Sequence, residues 1–381
     1  MPFRRHAQVA TVLALAVAVQ LAAVLSGKGF LLTQLTMAAY YGLATVGLSL
    51  LMGYAGQISL GHAGFFAVGG YVSAVLTTLD LGPHRTAAVV ETLQRVGILQ
   101  LRPALYGGDV LAVHPWVAFL CAVALAAVLA FGLGVPVLKL RGHYLAMATL
   151  GVGTILFSIA LGTSWLGAAD GISGVPAFPL LGGLSVNGGA ASRVTNYYVA
   201  FALLAAAMLL LLNLVHSRIG RALRAIHGAE DAASAMGVDT AALKVRTFVL
   251  SAILAAVAGA FLTHLNGGIG PSEASIMKSV KYVAVVAVGG MGSLWGTLAT
   301  SLVLNFLSLR GYFGTLDDAV FGLVLVVVML FAPDGVLALR PRRRPAAASP
   351  VLEEDAEPAA GLAPAPAPAP LVDGASTREV A

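Results

Sequence analysis

Charge is scarce in this chain. Of 381 residues, 10% are Asp, Glu, Lys or Arg and 59% are hydrophobic, with a mean hydropathy of +0.90. A water-soluble domain carries about 25% charged residues, so a soluble globular fold is excluded. The scarcity is concentrated: Gly29–Leu79 runs 51 residues without one charge, and the stretches 142–169 and 282–309 also hold none. Cysteine is nearly absent. Cys121 stands alone, which excludes a disulfide framework or a cysteine-built metal centre; within its apolar run it reads as a buried small hydrophobe. The eight histidines are scattered, with no H-E-x-x-H pair. A G-x-S-x-G nucleophile elbow is missing. The single Gly-Lys pair, Gly27-Lys28, lacks the glycine spacing of a phosphate-binding loop. Together these absences argue against an embedded enzyme with a nucleophile or metal cluster, and against ATP hydrolysis by this chain.

What is present is apolar helix and glycine. A run as long as 29–79 must cross a bilayer more than once at about 1.5 Å per residue. Its middle reads GYAGQISLGHAGFF (Gly53–Phe66), a glycine-rich, hydroxyl- and amide-bearing break. Lipid tolerates loosened backbone only where protein or a water-filled cavity satisfies it, so the break implies a built passage rather than an anchor. The 44 glycines suit helices packed closely through small residues. The expected fold is all-α, a polytopic membrane bundle with crossings at 8–26, 30–52, 61–79, 115–138, 143–162, 196–215, 247–266, 274–290, 294–309 and 317–333. The first run resembles a signal peptide, with small residues near Ala22–Ser26 where cleavage is the alternative; it is read as a retained helix.

The count turns on GGMGSLWG (Gly289–Gly296), which either centres one long helix or separates two short ones. With ten crossings and both termini cytoplasmic, thirteen basic residues fall inside, including Arg218, Arg221, Arg224, Lys244, Arg246 and the Arg340–Arg344 cluster, against eight outside. Nine crossings would put that cluster outside, against the positive-inside tendency. Ten is therefore the expectation, with eight or nine as alternatives. The same rule assigns the net charge of +5 to membrane lipid rather than to nucleic acid. Residues 1–340 form the expected membrane domain, and Ala363–Pro370 lies in an acidic, Ala/Pro-rich tail, 341–381, that cannot bury enough apolar surface to fold. Residues 80–114 read as an outside insertion with a short amphipathic helix over 87–101.

Residues 216–246 form the one sizeable inside loop. Ala229, Ala232, Ala233 and Met236 fall at helical spacing, Glu230 and Asp231 suit a helix N-terminus, Gly237 stops the helix and Asp239 caps the next. A solvated connecting helix is the alternative to a docking face. The Glu-x-Ala-Ala-x-x-x-Gly core at Glu230, Ala232, Ala233 and Gly237 resembles the coupling loop of ABC importer permeases, with Asp231 inserted relative to the usual form. GYAGQISLGHAGFFAVGGY (Gly53–Tyr71), LRGHYLAMATLG (Leu140–Gly151), DGISGVP (Asp170–Pro176), SRIGRALRAI (Ser217–Ile226), VGGMGSLWGT (Val288–Thr297) and FAPDGVLAL (Phe331–Leu339) together resemble the LivM-type permease family of branched-chain amino acid ABC transporters, in order, over about 35–340. The 80–114 insertion and the tail depart from the family.

The resemblance implies an inner-membrane permease that moves branched-chain amino acids, pairs with a second, LivH-type permease and works with two ATPase subunits and a periplasmic binding protein. ATP would be bound by those ATPases, and this chain would carry no cofactor or metal. Arg221, Glu230, Ala232, Ala233 and Gly237 would couple to the ATPases. Within the membrane, Gln57, Ser59 and His62 are the substrate-path candidates; the alternative is that they satisfy backbone freed by Gly53, Gly56 and Gly61. Gly289, Gly290 and Gly292 read as a tight turn or close helix contact, and Asn213, His264, Asn266 and Asn305 as weaker candidates near helix ends. Urea, short amides or aromatic acids remain alternative substrates. A secondary transporter or channel remains the alternative mechanism, although the uncharged runs offer no intramembrane carboxylate for ion coupling.

Overall fold

Inside a bilayer each backbone polar group must be satisfied within its own segment, so a chain this apolar folds as helices. The computed structural model describes residues 3–84, 87–103, 109–138, 140, 142–332 and 335. Its helices are α1 (Phe3–Leu25), α2 (Phe30–Ser49, continued by a π-helical turn at Leu50–Tyr54), α3 (His62–Thr78), α4 (Ala88–Arg95), α5 (Pro115–Val137), α6 (His143–Gly162), α7 (Arg193–His216), α8 (Arg218–Gly228), α9 (Glu230–Ala235), α10 (Thr240–Asn266), α11 (Ile276–Gly289), α12 (Leu294–Leu309) and α13 (Asp317–Phe331). Among the described residues, seven helices are long and apolar enough to span: α1, α2 with its π-turn, α5, α6, α7, α10 and α13. This is a polytopic helical membrane protein. Helices α3, α11 and α12 are shorter, at 17, 14 and 16 residues; fourteen residues reach only about 21 Å. The expected count of ten is thus not met by length alone. The Arg340–Arg344 cluster and the tail 341–381 lie outside the described residues.

Burial sorts the helices into two shells. The apolar spans of α2 and α10 are 89% and 78% buried, whereas those of α1, α5, α6 and α13 are only 11–28% buried. Helix α5 shows how the outer shell packs. Ala118, Ala122, Ala126, Ala130 and Gly134, at i,i+4 spacing, are buried, while Leu120, Leu125, Val128 and Phe131 face outward. Small residues inside and large apolar ones outside is the arrangement expected where lipid, not water, surrounds the bundle. Cys121 lies on that outward face and is exposed, so the reading of it as buried is corrected: an apolar run around the whole helix carries no signal for which face is inner. In the centre, α3 and α10 meet through glycine, with Gly69 against Ala256 and Gly259 against the Phe66 carbonyl.

The α8–α9 hairpin marks one end of the bundle, and short strand pairs mark the other. β1 (Leu99–Pro103) pairs with β2 (Asp109–Val113), β3 (Ile172–Ser173) with β6 (Gly268–Ile269), and β4 (Phe178–Pro179) with β5 (Ser185–Val186), all antiparallel. The expected 87–101 helix ends early, at Arg95. Gly97 takes φ +79°, and Leu99 then enters β1, buried with Val90 and Leu111. The all-α expectation therefore misses these pairs: β1–β2 and β4–β5 join neighbouring short segments of the loops, and only β3–β6, with Ile172 opposite Ile269, joins segments distant in sequence. His264 joins the strand end together: its Nδ1 donates to the Pro176 carbonyl at 2.7 Å and its Nε2 accepts from the Ser73 hydroxyl at 2.8 Å.

Candidate functional site

The break between α2 and α3 is built as the glycines require. Helix α2 loosens into the π-turn Leu50–Tyr54, a feature that recurs at functional sites. Gly56 then turns the chain at φ +67°. Gly61 lies so close to the Thr149 carbonyl that a Cβ there would overlap it, and the Leu60 N–H donates to Thr149 Oγ1 at 3.0 Å. Of the three path candidates, two are locked into the scaffold. The Ser59 hydroxyl is bonded to His62 Nδ1 at 2.8 Å, and His62 Nε2 is bonded to Ser251 Oγ on α10 at 2.7 Å. The His62 ring also sits edge-on to Phe65 and Phe248. Both ring nitrogens are used in holding α3 to α10. Gln57 differs: it is 2% exposed, and neither amide atom has a partner. It lines a cavity of about 260 Å³ together with Leu145, His227, Glu230 and Lys244.

The second glycine break is the turn between α11 and α12, and it packs on the first. Gly53 abuts the Met291 carbonyl so closely that no Cβ would fit. The Tyr54 hydroxyl donates to the Gly292 carbonyl at 3.0 Å, and Thr297 Oγ1 donates to Ser49 Oγ at 3.1 Å. Gly289 lies against Thr297 and Gly290 takes φ +91°, while a Cβ at Gly292 would meet no atom within 4 Å. GGMGSLWG is therefore a tight turn, with Gly289 in close contact with the start of α12; that it braces the other break was not legible in the sequence.

On the inside loop, Gly237 stops α9 at φ +82°, and Asp239 Oδ1 accepts from the Ala242 N–H at 3.0 Å to cap α10. The expected four-residue face divides. Ala233 is buried, Ala229 and Ala232 are exposed and Met236 is 85% exposed, because the helix closes at Ala235 and Met236 falls in the turn. Arg221 is exposed on α8. Glu230 forms an ion pair with Lys244 at 2.5 Å, the lysine side chain being 7% exposed. The pair ties α9 to the first turns of α10 and forms one wall of the Gln57 cavity.

A further polar cluster was not singled out from the sequence. At the strand end, Glu273 Oε1 accepts from the Tyr41 hydroxyl and from Lys278 Nζ, both at 3.1 Å, and Lys278 Nζ donates to the Tyr41 hydroxyl at 3.0 Å. The Lys278 ammonium lies 4.3 Å from the Tyr41 ring centre. Glu273 Oε2 and the hydroxyls of Tyr71 and Tyr282 are buried without a partner. Lys278 passed as an ordinary basic residue flanking a crossing. The available signal was an opposite charge five positions before it, beside long uncharged runs.

A multi-pass bundle with helix breaks braced against each other and a half-buried ion pair at its strand end belongs to the class of polytopic membrane transport proteins. Residues 30–332 match the family described as branched-chain amino acid transport system / permease component, and the chain belongs to that family. The family resemblance read from the sequence is thereby borne out. Its relatives include the high-affinity branched-chain amino acid transport system permease protein LivM of Salmonella typhimurium and that of Escherichia coli. Each is 29% identical over 325 residues, covering 80% of this chain and 69% of the relative. The LivH permease protein of Salmonella typhimurium is 26% identical over 307 residues, covering 79% and 92%. No solved structure matches. The family is one of transport permeases rather than enzymes.

Proposed function

We propose that this chain is one permease subunit of an ABC importer that carries leucine, isoleucine and valine across a bacterial inner membrane. A second, LivH-type permease would complete the passage, two ATPase subunits would dock on the α8–α9 hairpin around Arg221, Ala232 and Gly237, and a periplasmic binding protein would deliver substrate. ATP would bind only to those partner subunits.

The observation that carries this reading is a continuous mechanical link. The exposed hairpin is tied through Glu230–Lys244 to α10, and α10 is packed on α3 through Gly69, Ala256 and Gly259. ATPase closure that displaces α9 therefore pulls α10 and α3 together, and α3 begins at the break where Gln57 faces its cavity. Rigid helices pivoting at a few loop positions are a common form of such transitions. The arrangement also favours ten passes. Helix ends alternate between the hairpin end and the strand end throughout, with α11 and α12 as two short passes meeting at the braced turn. Residues 80–114 would then be periplasmic, 216–246 cytoplasmic, and both termini, including the 341–381 tail, cytoplasmic.

Uptake by cells lacking the gene tests the reading. Labelled leucine uptake at low external concentration is expected to be lost and restored by the gene, while labelled urea uptake is unchanged. Loss of urea uptake alone would keep the importer and overturn its substrate.

A further inference from the structure

Glu273 is held by one oxygen only. Its Oε1 takes two donors, Tyr41 and Lys278, while Oε2 is buried with none. A buried carboxylate oxygen left unpaired costs free energy on the order of 1–3 kcal/mol or more. A water, ion or ligand that supplies the missing partner is one established reason for such an atom in a native structure. The partner has room here. Glu273 lines a cavity of about 70 Å³ with Phe66, Thr263, Asn266, Gly268 and Ser272. A single water needs roughly 10–15 Å³, so the space holds a few waters or a small head group, not a guanidinium with its chain. Asn266 and Ser272, at its rim, are exposed, so the cavity opens at the strand end of the bundle, away from the α8–α9 hairpin.

We propose that this cavity is the entry site of the permease, where Glu273 Oε2 receives the ammonium group of an arriving amino acid. The inference rests on the amino-acid importer reading and adds the chemistry of recognition to it. Lys278 and Tyr41 hold the carboxylate by its other oxygen, which leaves Oε2 of this cavity-lining residue without a protein donor. The Glu273–Lys278 pair sums to zero charge and so does an amino acid zwitterion. Occupancy therefore leaves no uncompensated charge in this half-buried site, where such a charge is costly. Lys278 and Tyr41 are positioning residues; Glu273 is the binding group.

The test uses the assembled importer in lipid nanodiscs, without its binding protein, and saturation-transfer NMR with three probes: L-leucine, 3-methylbutylamine and 4-methylpentanoate. Leucine and the amine are expected to receive transfer, and the acid, which lacks an ammonium group, about tenfold less. In Glu273→Gln the leucine and amine signals should fall about tenfold, while the melting temperature of the assembled importer is retained. A purely structural role would lower both together. An acid signal equal to that of leucine, or an unchanged leucine signal in Glu273→Gln, overturns the proposal. Should that variant fail to assemble, the comparison of the three probes on the unaltered importer still decides. If cells prove to import urea and not leucine while the amine still binds in a Glu273-dependent way, the site stands and the substrate reading falls.

Discussion

At the scale of single residues, the glycines of this protein divide by what stands opposite them. Gly53 faces the Met291 carbonyl with no room for a Cβ, whereas Gly292, three positions from the α11–α12 hinge glycine 289, faces open space. Both read alike in sequence, as glycines in a break. Gly53→Ala is expected to push the two breaks apart, costing at least the ~1–3 kcal/mol of an overpacked core. It should lower the melting temperature of the detergent-solubilised protein and cut transport with it. Gly292→Ala should melt like the unaltered chain. Equal melting of the two variants would show that the breaks do not brace each other. The polar residues divide in the same way. Gln57, Ser59 and His62 could all be found from the sequence because they interrupt an apolar run, but their roles could not. His62 is saturated by Ser59 and Ser251, the latter 189 positions away, while Gln57 is left facing a cavity.

At the scale of elements, α9 is the informative one. Its six residues are too few to be stable alone. It persists because Ala233 is buried, Glu230 is anchored to Lys244 and Gly237 ends it in a left-handed turn. A β-branched residue at that φ is strained by about 1–2 kcal/mol, whereas asparagine tolerates it. Gly237→Val should therefore reduce leucine uptake about tenfold with the chain still in the membrane, and Gly237→Asn should retain most of it. Equal uptake by the two variants would show that the turn geometry is not what coupling depends on. The helix and its stop were visible in the sequence from acidic residues followed by small ones and a glycine. Which side chains turn inward was not, because a helix this short has no periodicity to measure.

At the scale of the whole molecule, the alternation of helix ends makes a topological prediction. The chain has one native cysteine, Cys121, so a Cys121→Ser background allows single cysteines to be placed at will. In intact spheroplasts, a membrane-impermeant thiol reagent should label Thr92→Cys on α4, and Met236→Cys only after permeabilisation. Labelling of both from the same side would rule out the odd number of passes, α5, α6 and α7, between them. The charged cluster at Glu273 also changes how the uncharged runs are understood. They exclude charge from most crossings, but α2 at Tyr41 packs against a carboxylate from the loop before α11 and an ammonium from the first turn of α11.

The sequence alone determined that this protein lives in a bilayer, where its helices lie, where two of them break and which family it belongs to. Each of these follows from local properties: charge density, apolar run length, glycine clustering and ordered blocks. Only the tertiary structure decided that the breaks lock together, that small residues on α5 face inward, that α9 is tied to α10 and that Glu273 keeps a free oxygen beside Tyr41. Glu273 and Tyr41 lie 232 positions apart, and no periodicity reaches that far. Their meeting is set by how the helices pack within one core, where close backbone contact through glycine decides which polar groups find partners and which remain open to a ligand.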